Sequence, residues 1–175
     1  MITLHVRQAV LEDAKGIAKV HVDSWRSTYA GIIPDVFLDT LSYEQRERRW
    51  EQIMLSEMVY VAENNVGTIV GFANGGRERS GKYHGYTGEL YSMYVLEEFQ
   101  KFGLGRELIR HVCHSLKVQE MYSMITLVLA ENDSRHFYKK LGAEEIDCVQ
   151  IEIAGKKLDE IVYGWEDIKI FEQVE

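Results

Sequence analysis

A chain of 175 residues that is 46% hydrophobic and 27% charged, with a single proline, suits one globular domain and excludes collagen-like, proline-rich and disordered classes. Twenty Lys plus Arg against 28 Asp plus Glu leave a net charge of −8, which repels phosphate backbones, argues against nucleic-acid binding and attracts cationic amines. The charge is uneven: residues 143–175 hold ten acids and three bases, whereas residues 1–142 are close to neutral.

Residues 2–9 alternate imperfectly between apolar and polar and predict a strand. His5, Arg7 and Gln8 interrupt any apolar N-terminal run, so no signal peptide is read, and no apolar window reaches the length of a membrane span. From Leu11 to Trp25 apolar residues recur at three- and four-residue spacing, which predicts a helix. Gly31 and Pro34 break it. A short helix over 35–41 and a longer one over 42–55 follow, the second opened by Ser42 three residues before Gln45 in capping-box order. Residues 59–62 and 68–73 flank Asn64-Asn65-Val66-Gly67 and predict a hairpin. Residues 74–88 carry five of the 14 glycines and predict a long loop or ragged strand ends.

A strand is expected over 89–95. After it the chain enters Gln100-Lys101-Phe102-Gly103-Leu104-Gly105-Arg106 and then a helix striped by Leu104, Leu108, Val112 and Leu116. Residues 124–130 form an almost unbroken apolar run, as in a central strand covered on both faces. A short helix over 134–141 stops at Gly142, and strands around 145–153 and 157–165 join at Ala154-Gly155. The expected fold class is α+β: a mixed, mostly antiparallel sheet with helices on both faces and one parallel crossover between strands 89–95 and 124–130. It occupies a single domain over 1–175, with an acidic C-terminal stretch of strands and tail. A ligand is expected where that crossover meets the following helix N-terminus.

Two glycines between a strand and a helix let main-chain N–H groups turn toward an anion that the helix dipole also favours. The letters do not fit a Walker A loop, which needs Gly-Lys-Ser/Thr, or a dinucleotide fingerprint, which needs a glycine where Leu108 stands. A purely structural turn remains the alternative.

The run ELYSMYVLEEFQKFGLGRELI, residues 89–109, resembles motif A of the GNAT superfamily of N-acetyltransferases, and NDSRHFYKKLGA, residues 132–143, resembles its motif B. The resemblance spans nearly the whole chain and implies the GNAT fold and transfer of acetyl from acetyl-CoA to a primary amine by direct attack. It implies that amides of Lys101 to Arg106 hold the pyrophosphate, with Gln100 opening the cradle, and that the main chain of Met93, Tyr94 and Val95 pairs with the pantetheine arm. Seven bases against four acids in residues 100–140 make this part locally positive. The resemblance further implies Glu89 as the carboxylate that takes the amine proton, Tyr138 as the acid that protonates the departing thiolate, and Asn132 as a cofactor contact. A strand-end acid and a half-buried tyrosine are the plainer readings of Glu89 and Tyr138. Asn132 lies six residues before Tyr138 where the family pattern has seven, so Glu131 competes for its place.

Residues 24–42 resemble, more loosely, a bacterial subgroup that includes polyamine-type acetyltransferases. Trp25 and Tyr29, four apart, would wall an amine pocket or belong to the core, and Tyr83, His84 and Tyr86 offer another wall. The acidic C-terminus favours a cationic small amine or polyamine as acceptor, with a protein N-terminus also open. A non-catalytic acyl-CoA sensor or interaction module is the rival reading. No metal is expected: His111 and His114 share a helix face while Cys113 points into the stripe, without a fourth ligand. Cys113 and Cys148 lack CxxC spacing, so a reduced, cytoplasmic protein is expected, and a homodimer stays open.

Overall fold

The computed structural model describes residues 3–172. Seven strands, β1 (Leu4–Gln8), β2 (Val59–Asn64), β3 (Ile69–Arg77), β4 (Gly88–Val95), β5 (Met124–Leu129), β6 (Glu144–Ile153) and β7 (Lys156–Trp165), form one sheet in the order β1-β2-β3-β4-β5-β7-β6. Every pairing is antiparallel except β4 with β5, as the sequence predicts.

Helices α1 (Ala14–Thr28), α2 (Asp35–Leu38) and α3 (Tyr43–Met54) cover one face, and α4 (Leu104–Val118) and α5 (Ser134–Lys140) the other. The α4 stripe of Leu104, Leu108, Ile109, Val112, Cys113 and Leu116 is buried to the last residue. Each such aliphatic side chain contributes about 1.5–3 kcal/mol by leaving water. On the opposite face α1 and α3 close over Val59, Val61 and Phe72, with Ser42 capping α3 by accepting from the Gln45 N–H at 3.3 Å. Among the described residues no helix is long and apolar enough to cross a membrane.

Two departures from the sequence reading shape the site. The glycine-rich stretch is strand as far as Arg77, because Gly75 and Gly76 lie where the sheet irregularity requires close approach. A Cβ on Gly75 would come within 2.6 Å of the Glu89 carbonyl oxygen. Opposite it β4 bulges: Asn74 faces Ser92 and Gly75 faces Leu90, leaving Tyr91 extra. The bulge lets Leu90 and Met93, three apart, both pack toward α4 and turns Tyr94 to the α1 face. Second, β5 is not covered throughout. Leu127 is 37% exposed, because β4 and β5 pair over only three rungs, ending at Leu90–Thr126, and then part.

Candidate active site

The parting of β4 and β5 leaves the β5-facing edge of β4 unpaired beyond Leu90, and the turn after β4 leads straight to the N-terminus of α4. Gly103 caps that helix in the left-handed region, φ 81°, which a branched residue adopts at a cost of about 1–2 kcal/mol. The first main-chain bond of the helix runs from the Glu107 N–H to the Gly103 carbonyl at 3.1 Å. The N–H groups of Leu104, Gly105 and Arg106 thus have no acceptor within the helix and carry its positive dipole end.

Around them Lys101, Phe102, Gly103 and Arg106 are exposed, Leu104 is in the core, and the Gln100 side chain donates back to the Val95 carbonyl at 3.0 Å, tying the turn to β4. Lys101 also has positive φ, 69°. Gly105 serves a different purpose from Gly103. A Cβ there would lie 2.9 Å from Cζ of Phe137, so this glycine lets α5 close on α4.

Three phenols converge beside the parting strands. Tyr29, at the end of α1, meets Tyr94 of β4 with the hydroxyls 3.1 Å apart, and Tyr138 of α5 approaches both. Burial raises the pKa of all three, Tyr94 and Tyr138 well above the ordinary phenol value, so each is a proton donor over the physiological range. Asn132 is buried against this cluster. Its Oδ1 accepts from the Ser134 N–H at 2.9 Å and starts α5, while Glu131 is exposed, so Asn132 and not Glu131 takes the interior place.

Trp25 and Tyr29 pack edge to face, ring centres 4.9 Å apart, in the cluster that joins α1 and α2 to the far strands. Tyr29 is 7% exposed; Trp25 is half-buried and its indole N–H is buried without a partner. His21, one turn earlier, lies against Tyr94 with ring centres 5.6 Å apart and accepts from the Trp50 N–H at 3.0 Å. Burial and the nearby Arg46 charge push its pKa down to about 3, so it is neutral.

Glu89 is 5% exposed and lies on the α1 side of the sheet. Its two oxygens accept from Arg79, one from the guanidinium at 2.9 Å and one from the main-chain N–H at 3.1 Å. The same guanidinium stacks 3.9 Å over the Tyr91 ring. On this face Tyr83 donates to Asp147 at 3.0 Å, Tyr86 lies against Gly164, and Glu160 of β7 is half-buried. The face is therefore acidic where the α4 side is basic.

Arg79, His21 and Glu160 did not stand out in the sequence. Arg79 lies in the glycine-rich segment whose path the letters leave open. His21 matches the helix stripe like any core residue. Glu160 carried a usable signal: in Leu158-Asp159-Glu160-Ile161-Val162-Tyr163 it shares the register of Leu158 and Val162, a charge on a buried strand face. No three His, Cys, Asp or Glu among the described residues gather as a metal site. Cys113 is core, its thiol pushed up to about 12 by burial.

The sequence profile of the acetyltransferase (GNAT) family matches residues 20–143. The N-acetyltransferase YuaI of Bacillus subtilis, described as uncharacterized, is 44% identical over 163 residues, 93% of each chain. Among solved structures, an N-acetyltransferase of Staphylococcus aureus superposes with a TM-score of 0.74 at 22% identity, covering 93% of this chain and 98% of that one. The acetyltransferase yncA of Salmonella typhimurium, solved with its cofactor acetyl-CoA, gives 0.70 at 22% identity and 93% of both chains.

Proposed function

The chain belongs to the GNAT family of acetyltransferases and is an acetyl-CoA-dependent N-acetyltransferase, and from that premise we propose that it acetylates a cationic primary amine by direct attack on the thioester. The observation that carries the reading is the set of free first-turn amides on α4 at the mouth of the parted strands. They fit a diphosphate: three successive first-turn donors are free, a left-handed glycine opens the turn, and Arg106 and Lys101 are exposed in the same segment.

Acetyl-CoA supplies the acetyl group as an activated thioester. The amides of Lys101 to Arg106 hold its diphosphate, and the unpaired edge of β4 at Met93, Tyr94 and Val95 aligns its arm strand-fashion. Tyr138, kept protonated by burial, gives its proton to the departing sulfur. The amine must lose a proton: at an ordinary amine pKa near 10.4 the neutral form costs about 4.6 kcal/mol at neutral pH. A carboxylate on the α1 face, such as Glu89, lowers that cost. Asn132 sets the start of α5 and so the place of Tyr138. Trp25 and Tyr29 form the wall between acceptor and core.

The acceptor is assigned to cationic amines because Glu89, Glu160 and Asp147 line this face and, among the described residues, only Glu89 of the three is ion-paired, to Arg79. The test is thiol release from acetyl-CoA with spermidine, lysine, tyramine and a short peptide with a free N-terminus. Turnover is expected to be fastest with the polycation. Binding of coenzyme A without thiol release for any amine would make the protein a cofactor sensor instead.

A further inference from the structure

We propose that Glu160 is the catalytic carboxylate that receives the acceptor's proton, because it stands free on the acceptor face while Glu89 is engaged on both oxygens by Arg79. This rests on the acetyltransferase reading and assigns a residue within it.

The two carboxylates differ in what surrounds them. Glu89 is almost wholly buried and its charge is matched by a guanidinium that is itself held on Tyr91. Taking a proton there would cost Glu89 its ion pair with Arg79, whose guanidinium reaches out to solvent. Glu160 forms no hydrogen bond or ion pair through its side chain among the described residues, although Leu158 and Val162 on the same strand face are buried. It stands in register with Leu129 on β5, just past Leu127, where that strand has left β4.

One titratable group acts on Glu160, Glu89 from β4, and the Glu160 charge acts in turn on Tyr29 at the end of α1 and on Tyr83 in the 78–87 loop. Tyr29 is bonded to Tyr94 and lies beside Tyr138. Through Tyr29 the Glu160 charge reaches the phenol cluster that includes Tyr138, and through Tyr83 it reaches the 78–87 loop. Opposite it on β6 stands Val149, which carries no charge.

The electrostatics suit the task. Burial, and then the charge of Glu89, raise the pKa of Glu160, which makes it a better base toward an ammonium and favours a cation beside it. Arg79 neutralises one of the two carboxylates, leaving one negative charge for the acceptor to match. In the step itself the ammonium gives one proton to Glu160, freeing the nitrogen lone pair. That pair forms the C–N bond as the C–S bond breaks, and the sulfur keeps the bonding pair and takes the Tyr138 proton. A second N–H proton leaves to water. Glu160 then releases its proton and Tyr138 regains one from solvent, so one ammonium and one thioester give one amide, one thiol and one proton.

The experiment compares Glu160→Gln, Glu160→Asp and Glu89→Gln with the wild type, using acetyl-CoA and the best amine of the panel above, with melting and coenzyme A calorimetry as controls. Glu160→Gln is expected to lower kcat/KM about 100-fold at neutral pH with coenzyme A affinity unchanged, the deficit shrinking as pH nears the amine's own pKa of about 10.4. Glu160→Asp keeps the charge and is expected to recover part of the loss. Without any substrate, carboxyl-carbon NMR is expected to show Glu160 titrating above the ordinary value of 4.5, and lower again in Glu89→Gln. Full activity in Glu160→Gln together with loss in Glu89→Gln would overturn the assignment and return the role to Glu89. An ordinary Glu160 titration unchanged by Glu89→Gln would overturn it independently of turnover, including where the Gln variant does not fold. A wild type that binds coenzyme A and releases no thiol with any amine would overturn the functional reading itself, and the Glu160 role with it.

Discussion

The cofactor side and the acceptor face proposed for this protein are built by opposite means. On the cofactor side, the free main-chain donors of Leu104, Gly105 and Arg106 follow one another in one helix turn, and the side chains matter mainly through what they permit: Gly103 a left-handed turn, Gly105 the approach of Phe137. On the acceptor face, side chains far apart in sequence meet across the sheet, Tyr29 with Tyr94, Arg79 with Glu89, Tyr83 with Asp147. A main-chain site is fixed by local conformation and tolerates drift in most letters around it. A side-chain site is fixed by tertiary packing and can be re-aimed by single substitutions, which suits a face that selects among amines.

The largest test of that contrast sits at the junction. Tyr138→Phe removes only a hydroxyl, and kcat/KM is expected to fall about 100-fold while coenzyme A affinity holds. Because burial raises the Tyr138 pKa, the wild-type rate is expected to show no loss from its ionisation up to pH 10. An intact rate in the Phe variant would remove Tyr138 from the chemistry.

On the cofactor side, Gly103→Val forces a branched residue to φ 81° and is expected to weaken coenzyme A binding about tenfold, since restoring the turn costs roughly 1–2 kcal/mol. Gly105→Ala is expected to behave otherwise, lowering melting temperature by pressing on Phe137, with Phe137→Leu restoring part of it. Equal effects of both glycines on affinity would erase the distinction between them.

The smallest effect concerns what supports the acceptor face. His21 has a folded pKa of about 3 against 6.5 in the unfolded chain, so below 6.5 only the unfolded state takes up its proton. Stability from this group is full above pH 6.5 and falls as pH drops toward 3, by about 1 kcal/mol per pH unit. Urea unfolding at pH 7 and pH 5 is expected to show that loss, and His21→Gln, which still accepts from Trp50, is expected to flatten it.

The strands and long helices were legible because their periodicities are strong: the α4 stripe and the two C-terminal strands read directly. The glycine turn that opens α4 was legible because its signal is contiguous. The ion pair of Glu89 was hidden, since its partner lies in a segment where five glycines leave the path open. The extension of β3 to Arg77 was missed for the same reason: glycine argues for a loop locally, while the bulge opposite demands it inside a strand. Complete coverage of β5 was expected from its apolar letters, and Leu127 departs from it because only three rungs hold β4 alongside. Glu160 shows the limit best, since its strand register marks it as unusual and only the packed sheet reveals its neighbours.

Calorimetric titration of the purified protein with coenzyme A tests the central claim most directly. Saturable one-to-one binding is expected, in the range of about 1 μM to 1 mM, weakening as salt rises because a diphosphate meets positive charge at the α4 N-terminus. A titration with no uptake of coenzyme A or acetyl-CoA would contradict the account.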